Sequence, residues 1–314
     1  MKVRHAAISL LLVTGLYLLA LVWLDSKRNV FALLPLLADS LPVLFASSAA
    51  CCLIRFVRWH WLLRRVGHKV PLGRGLLAYV AGFAFTATPG KVGELVRIRY
   101  LQPMGVPPQR VIAAFVYERA LDVLVVLALA SLAATPLGLL PFAAAFVTLV
   151  VLAVVLLARN PHWATRVAAI PRRWGWHGLA RLMETLGEGF AGVRVWANPP
   201  ALTVSLLLGG VAWSVQSLAF VWFLGQLGAL VPWTTAMAVF PLAQLVGAAS
   251  MLPGGIGSTE AAVVSLLVAS GVLANTAALA AVGMRIATLW GAIAWGWAGL
   301  LWLENTENRL EPRG

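Results

Sequence analysis

The sequence predicts an all-α polytopic membrane protein with about six full transmembrane helices and two re-entrant helical hairpins, arranged as an inverted repeat. Of its 314 residues, 61% are hydrophobic and only 11% are charged, whereas soluble domains carry about 25% charged residues. Long apolar stretches alternate with short basic ones, and two apolar stretches are interrupted by Pro-Gly steps. These observations predict one integral membrane domain over residues 1–304 and a polar cytoplasmic tail over residues 305–314.

Six apolar stretches are long enough to cross a hydrocarbon core of ~30 Å as helices. The first follows Lys2 and Arg4 but has no small-residue cleavage site, so we expect an uncleaved helix rather than a signal peptide. Residues 31–134 form the first predicted repeat, and residues 200–303 form the second. The predicted spans are about 6–24, 31–54, 111–134, 142–158, 200–225 and 277–303.

Two further apolar segments are predicted to enter the membrane and turn back at a Pro-Gly break. Proline lacks the N–H that a helix needs, and glycine adopts turn conformations closed to other residues. The inward arm of the first segment would reach only ~21 Å. Two ordinary surface loops, or a second segment that spans fully, are the alternatives. In chain order the arms and breaks are 75–88, Pro89-Gly90, 92–102, 234–251, Pro253-Gly254-Gly255 and 258–273.

The two breaks share one motif, Pro-Gly-x-aliphatic-Gly, and each copy is followed by a glutamate. Irregular backbone at membrane depth is tolerated only where it is buried in protein or lines a wet cavity. Interruptions at corresponding places in two halves therefore predict the central site of a transporter. The first copy runs from Pro89 through Gly93 to Glu94, and the second runs from Pro253 through Gly257 to Glu260.

The positive-inside rule predicts the orientation, because the loop cations gather on one side of the predicted spans. Both termini are expected in the cytoplasm, so the first hairpin would enter from the cytoplasm and the second from the opposite face. The two halves would then form an inverted repeat. The cation-rich segments are the N-terminus, 55–74, 103–110 and 159–198, and the turns without cations are 135–141, 226–233 and 274–276.

The distribution of polar residues also indicates the class of partner. Segment 159–198 predicts an amphipathic helix on the inner membrane surface, or a helix packed against another cytoplasmic loop. The net charge of +13 lies mainly in loops, which predicts anionic lipid headgroups as partners rather than nucleic acid. No His, Cys and carboxylate cluster has metal-ligand spacing, so no metal and no cofactor are predicted. The possible protein partners are a second copy of this chain, in a homo-oligomer, or a lipid-modifying enzyme.

Charged residues inside membrane segments are costly and need partners or a wet cavity. Glu118 and Asp122 lie four residues apart on one face of the third predicted span, and Arg119 can pair with Asp122. This network would line the site or, alternatively, would only join the third span to the hairpins.

The helix that begins near Glu260 offers an anion site, because N–H groups at a helix start bind phosphate. Ser258 or Thr259 is expected to cap this helix. Glu94 and Glu260 are expected to line one central cavity, where they would bind a cationic headgroup or carry a proton. Arginine and lysine side chains suit phosphate binding. The predicted substrate-binding residues are Pro89, Gly90, Lys91, Gly93, Glu94, Arg97, Arg99, Glu118, Arg119, Asp122, Pro253, Gly254, Gly255, Gly257, Ser258, Glu260 and Arg285.

Three ordered motifs closely resemble the lysylphosphatidylglycerol synthetase transmembrane-domain family, over about residues 5–303. They are the stretch Thr88–Glu94, the run Glu118-Arg119-x-x-Asp122, and the stretch Leu252–Glu260. The resemblance implies an inverted-repeat membrane fold and a flippase-like role in moving a lipid between leaflets. The positions that match the family's motifs are Pro89, Gly90, Gly93, Glu94, Glu118, Arg119, Asp122, Pro253, Gly254, Gly257 and Glu260.

The family includes the multiple peptide resistance factor, whose membrane part is followed by a soluble aminoacyltransferase domain. This chain ends shortly after the sixth predicted span, so lysyl transfer from tRNA is not expected. Nucleophile-elbow, Walker, HExxH and Rossmann signatures are absent from the sequence.

The predicted function is a lipid translocase of the bacterial inner membrane that moves a phospholipid or a polyprenyl-linked lipid through a polar cavity. The cavity would lie between the two hairpins. A membrane enzyme acting on a lipid-linked substrate and an accessory subunit of a lipid-modifying enzyme are the alternatives.

Overall fold

The computed structural model describes residues 34–131, 145, 149, 162–173, 176, 183–184, 187–189 and 191–310. Within these ranges every regular element is a helix, and no strand occurs among them. The predicted first span, most of the predicted fourth span, the turn 135–141 and much of the amphipathic segment lie outside the described residues.

The described part of the chain contains ten α-helices, joined by short turns and 3₁₀ segments. They are α1 (Leu34–Arg65), α2 (Leu72–Ala81), α3 (Arg97–Leu101), α4 (Pro108–Ala130), α5 (His162–Arg173), α6 (Pro199–Gln226), α7 (Trp233–Ala249), α8 (Ser258–Ala269), α9 (Ala274–Arg285) and α10 (Gly291–Leu310). A π-helical turn, Ile286–Trp290, connects α9 to α10.

Three of the described helical runs are long and apolar enough to cross a membrane: Leu37–Arg65, Pro199–Gln226 and Ala274–Thr306. Shorter apolar helices cover Leu72–Phe85, Trp233–Ala249 and Pro253–Ala269. Helix α4 has 23 residues and would extend ~35 Å. The chain is therefore a multi-pass membrane protein built from long helices and shorter apolar ones.

Proline positions explain where several of these helices begin. Helix α6 starts with Pro199 and Pro200, and the side chain of Asn198 accepts a hydrogen bond from the backbone N–H of Ala201. Helix α4 starts at Pro108, directly after Pro107. Proline suits the first helical position because the N–H that it lacks would have no partner there.

Two predicted boundaries are wrong. Helix α1 continues to Arg65 instead of ending near residue 54, so Arg55 and Arg58 are helical rather than part of a basic loop. The last helical run, which consists of α9, the π-helical turn and α10, begins at Ala274 and continues to Leu310, so the predicted turn at 274–276 and residues 305–310 of the predicted tail are helical. Helix α1 continues past its first basic residues because Arg55 and Arg58 find carboxylate partners inside the protein.

Both apolar segments are interrupted at their Pro-Gly steps, as predicted. In the first, Thr88 has an extended backbone (φ −73°, ψ 149°), and Pro89 begins a 3₁₀ helix that runs to Val96. In the second, a short 3₁₀ turn, Pro253–Gly255, separates α7 from α8. The two breaks pack against each other.

The described residues form two hydrophobic clusters, and each cluster draws residues from both halves of the chain. The first contains Trp59, Tyr79 and Tyr117, and the second contains Phe220 and Phe240. Helix α1 packs along α6, and α10 packs against α2 and the following 3₁₀ turn. A Cβ atom added to Gly296 would overlap the backbone of Ala84, so α10 approaches that turn closely because it has no side chain there.

Candidate functional site

A cavity of about 260 Å³ lies where the two breaks meet. Helices α4, α6 and α7 complete its wall. Its polar lining comes from both breaks and from the charged face of α4, whereas its apolar lining comes mainly from α7 and α4. The residues that line it are Thr88, Lys91, Arg119, Asp122, Val123, Val126, Trp213, Gln244, Leu245, Gly247, Ala248, Leu252, Gly254, Gly255 and Thr259.

A cluster of charges borders this cavity and joins α1 to α4. Nη2 of Arg58 donates to Oδ1 of Asp122 (2.8 Å) and to Oε1 of Glu118 (3.2 Å). Arg55 also donates to Asp122, and Nη2 of Arg119 lies 3.3 Å from Oδ2 of the same carboxylate. Three guanidinium groups thus surround two carboxylates, and the cluster carries a net positive charge.

This geometry confirms part of the sequence interpretation and corrects another part. Glu118 and Asp122 share one helix face, and Arg119 pairs with Asp122, as predicted. The network, however, joins α4 to α1 and not to the hairpins. The sequence reasoning missed Arg55 and Arg58 as site residues because it placed them in a surface loop. Their spacing of three residues at the end of an apolar run was the available signal.

Lys91 is the charged residue that the network leaves unpaired. Its ammonium group has no hydrogen bond and no ion pair within 4.0 Å among the described residues, although its side chain lines the cavity. Its backbone φ of 57° lies in the left-handed region, which non-glycine residues adopt rarely. The break therefore holds this side chain in the cavity at a conformational cost.

Three further polar atoms at the cavity wall have no hydrogen-bond partner among the described residues. They are Nε of Arg119, Nε1 of Trp213 and Oγ1 of Thr259. Thr259 is only 1% exposed, so its hydroxyl is removed from bulk water. Unsatisfied buried polar groups are costly, and a bound ligand or ordered water removes that cost. The cavity thus presents donors to an incoming polar group.

A smaller cavity of about 90 Å³ adjoins the first. The two cavities share Lys91, Trp213 and Gln244, which form the partition between them. The other residues of the smaller cavity come from α1, from the first break, from α6 and from the π-helical turn with the start of α10. They are Ser48, Cys51, Cys52, Arg55, Phe83, Thr86, Glu94, Gln216, Thr288, Ala292 and Trp295.

Glu94 lines the smaller cavity but is fully engaged within its own half of the chain. Its carboxylate accepts hydrogen bonds from Nη2 of Arg97 (2.9 Å) and from Oγ1 of Thr86 (3.2 Å). Nε of Arg97 also donates to the backbone carbonyl of Glu94, and its guanidinium lies 4.5 Å from the ring centre of Tyr79. The pair stabilises the 3₁₀ helix after the first break.

Glu260 has a corresponding pairing in the second half, but it lines neither cavity. Nε of Arg285 donates to Oε1 of Glu260 (2.9 Å), and Nη2 of Arg285 donates to the carbonyl of Gly254 (2.6 Å). Arg285 therefore joins α9 to the second break. The expectation that Glu94 and Glu260 line one central cavity is not met.

The predicted cap of α8 is also wrong. The backbone N–H of Gly257 donates to Oε2 of Glu260 (2.8 Å), so Glu260 caps the helix from its own first turn. Ser258 instead bonds to Ser250, and the hydroxyl of Thr259 has no partner among the described residues. A carboxylate at this helix start occupies the place where we expected an anion to bind.

The shared glycine of the two motifs has a different physical role in each break. A Cβ atom on Gly93 would overlap the backbone of Phe85 and the hydroxyl of Thr88, so the first break needs a close approach. Gly257 has open space around it but a φ of 83°, so the second break needs a left-handed backbone.

The structure brings some of the predicted site residues to the cavities and leaves the rest outside. Arg99 is exposed and lies near Glu304, away from the breaks. The predicted residues that line a cavity are Lys91, Glu94, Arg119, Asp122, Gly254 and Gly255. Those of the described side chains that line neither are Gly93, Arg97, Arg99, Glu118, Pro253, Gly257, Ser258, Glu260 and Arg285. The environments of Pro89 and Gly90 lie outside the described part of the structure.

The fold and the site together define a multi-pass membrane protein with a cationic polar cavity at two helix breaks. The chain belongs to the family described as the lysylphosphatidylglycerol synthase TM region, whose family model matches residues 6–296. The resemblance inferred from the three motifs is thereby confirmed.

A curated relative extends the comparison. The chain is 32% identical over 122 residues to a UPF0104 membrane protein of Methanothermobacter thermautotrophicus. The match covers 38% of this chain and 36% of that protein.

Proposed function

We propose that this protein is a lipid translocase that moves a lipid with an anionic headgroup between the leaflets of a membrane. The headgroup would occupy the cavity at the two helix breaks, while the acyl chains stay in the bilayer. The observation that carries this proposal is the unpaired ammonium group of Lys91, which lines a cavity together with Arg119.

The charge balance of the site supports an anion as the ligand. The carboxylates of Glu118 and Asp122 are outnumbered by the guanidinium groups around them, and Lys91 adds a further positive charge. A phosphate group would pair with this excess, and charge-assisted hydrogen bonds to phosphate are among the stronger ones in proteins. The unpaired donor atoms of Arg119 and Trp213 add further contacts.

The size of the cavity supports a headgroup rather than a whole lipid. A site that holds one water needs about 10–15 Å³, so about 260 Å³ accommodates a phosphate with its substituent and some water. The apolar side of the wall, which includes Val123, Val126 and Leu245, suits the glycerol backbone where the acyl chains would leave for the bilayer.

Transport fits the site better than catalysis does. General acid–base chemistry needs a group that exchanges a proton near neutral pH. The described carboxylates at the cavities, Asp122 and Glu94, are both held by arginine partners. We therefore propose a catalytic role for neither carboxylate.

The experiment that tests this function is reconstitution of the purified protein in liposomes. A panel of fluorescent phospholipids and polyprenyl-linked lipids would be placed in one leaflet, and their appearance in the other would be measured. We expect protein-dependent movement of at least one anionic lipid without a change in its mass. Movement no faster than in protein-free vesicles would contradict the proposal, and a product of changed mass would indicate an enzyme instead.

We further propose a bacterial inner-membrane location with both termini in the cytoplasm and the two halves related as an inverted repeat. The asymmetry of the loop cations supports this orientation. A cysteine at Arg172 and another at Asn275, each introduced alone after Cys51 and Cys52 are replaced, test it with an impermeant maleimide. Both positions are exposed. Labelling of Asn275→Cys alone from outside is expected, and labelling of Arg172→Cys from outside would contradict the proposed orientation.

A further inference from the structure

The smaller cavity contains neutral polar side chains that lack partners. Ser48 and Gln216 are 8% and 9% exposed, and Gln244 lies in the partition between the cavities. None of these three side chains makes a hydrogen bond to another described residue. Gln244 is half-buried. Carboxamide and hydroxyl groups that face a cavity without a protein partner bond to water or to a ligand, so this cavity can receive a group that hydrogen-bonds with them.

The charges around the smaller cavity are neutralised by other residues. Arg55 is paired with Asp122, and Glu94 is paired with Arg97. Among the described lining residues, an ammonium group would therefore find no unpaired carboxylate. A second phosphate would find Lys91 as the one unpaired cation of that lining, and the larger cavity shares it. The lining thus favours an uncharged ligand that both donates and accepts hydrogen bonds.

The smaller cavity lies next to the proposed anion site in the larger cavity. Lys91, Trp213 and Gln244 line both cavities, so a phosphate beside Lys91 is adjacent to the smaller cavity. The volume of about 90 Å³ is several times the 10–15 Å³ or so that one water needs. A glycerol-sized group attached to the phosphate therefore has room in the smaller cavity.

We propose that the smaller cavity is a second headgroup subsite, which binds an uncharged, hydroxyl-bearing substituent of the lipid phosphate. The carboxamides of Gln216 and Gln244 and the hydroxyl of Ser48 hydrogen-bond to its hydroxyl groups, and the phosphate stays at Lys91. This assignment rests on the proposed function for the placement of a lipid phosphate in the larger cavity. It selects lipids with a polyol headgroup over those with a bare phosphate or a quaternary ammonium group.

Binding in detergent tests this selectivity without requiring transport. Short-chain phosphatidylglycerol, phosphatidic acid and phosphatidylcholine would each be titrated into the purified full-length chain, and the dissociation constants measured by native mass spectrometry. We expect phosphatidylglycerol to bind most tightly of the three. In Gln216→Leu, its affinity should fall about tenfold because a hydrogen bond to a buried amide is lost, whereas the affinity for phosphatidic acid should not change.

A matched control lies on the same helix. Gln226 is exposed at the end of α6, so Gln226→Leu should leave all three affinities unchanged. If Gln216→Leu weakens phosphatidylglycerol and phosphatidic acid equally, or neither, Gln216 does not contact the substituent and the proposal is overturned. Equal affinities of the unmodified chain for phosphatidylglycerol and phosphatidic acid would overturn it as well.

Alkylation of the native Cys52 tests where the ligand binds. Cys52 lines the smaller cavity and is partly exposed, so alkylation by N-ethylmaleimide should slow when phosphatidylglycerol is bound but not when phosphatidic acid is bound. Equal protection of the Cys52 thiol by both lipids would contradict a second subsite that is specific for the substituent of the phosphate.

The subsite and the proposed function can fail separately. Selective binding in detergent without any lipid movement in vesicles would refute the translocase and leave the subsite intact. Lipid movement at the same rate for every headgroup, together with unchanged phosphatidylglycerol binding in Gln216→Leu, would support the translocase and refute the subsite.

Discussion

Arg58 of α1 and Asp122 of α4 are 64 residues apart in the chain, yet Nη2 of Arg58 lies 2.8 Å from Oδ1 of Asp122. Both side chains are almost fully buried. Because Asp122 also lines the larger cavity, this contact connects the packing of two helices to the wall of the candidate site. The ion pair therefore contributes to the fold and to the electrostatics of the cavity together.

Replacing Asp122 by asparagine should destabilise the protein strongly. The change leaves Arg58 with Glu118 alone and leaves Arg55 without an ion-pair partner among the described residues. Removing one partner of a buried ion pair costs about 3–5 kcal/mol. The melting temperature of the purified variant in detergent measures this loss. Arg119→Gln is the matched control, because Arg119 is partly exposed and pairs only at the edge of the network. Equal melting temperatures for Asp122→Asn and the unmodified protein would contradict the structural role.

Replacing Lys91 by asparagine should reduce transport without a loss of stability. The ammonium group has no partner to lose among the described residues, and asparagine tolerates the left-handed backbone at this position better than most residues. A hydrogen bond to a charged group contributes about 1.5–3 kcal/mol, which corresponds to a loss of about 10- to 100-fold in headgroup affinity. The initial rate of lipid movement in vesicles and the melting temperature are the two measurements.

The control for Lys91→Asn is Arg99→Gln, because this variant also removes one positive charge. Arg99 is 61% exposed and lies beside Glu304, so this variant should transport as the unmodified protein does. If both variants lost transport equally, the effect would come from net charge and not from the cavity.

A methyl group at Gly247 should destabilise the contact between α7 and the second break. A Cβ atom there would overlap Oγ1 of Thr259, and overpacking of this kind costs about 1–3 kcal/mol. Thr259→Ala removes that oxygen, so the double variant Gly247→Ala/Thr259→Ala should regain most of the stability. Gly210→Ala, on α6 with nothing within 4 Å of the added atom, should be neutral or slightly stabilising. The melting temperatures of these variants in detergent measure the differences in stability. A double variant no more stable than Gly247→Ala would rule out this steric explanation.

Replacing Glu260 by glutamine should lower stability first and transport only as a consequence. Glu260 neutralises Arg285 and accepts the N–H of Gly257, and it does not line a cavity. Because its side chain is partly exposed, we expect a cost near the lower end of the range for buried pairs, about 3 kcal/mol. Glu304→Gln is the control, since Glu304 lies 4.0 Å from an exposed arginine. Full stability of Glu260→Gln combined with a loss of transport would instead place this carboxylate in the binding site.

Much of the fold could be predicted from local sequence. The apolar stretches located α4 and α6 to within a few residues of their observed ends, because burial in lipid requires a continuous apolar helix surface. The Pro-Gly steps located both breaks, because proline and glycine act on their own backbone. The pairing of Arg119 with Asp122 was predictable for the same reason, since helical spacing alone brings them together.

The composition of the site depended on contacts that no local pattern contains. Arg55 and Arg58 resemble topology signals in the sequence, and only their burial against α4 identifies them as part of the charge cluster. Gln216, Gln244 and Thr259 are ordinary polar residues until the packing of α6, α7 and α8 leaves them facing cavities without partners.

The sequence by itself determined the membrane class, the family, the two broken segments and the carboxylates that needed partners. Only the tertiary structure decided which cations those carboxylates bind, and hence that Lys91 is left unpaired at the junction of two cavities. The physical reason is the distance along the chain over which each effect acts. Hydrophobicity, proline and glycine act along a few residues of chain, whereas the charge of a cavity is the sum over side chains that folding brings together from distant segments.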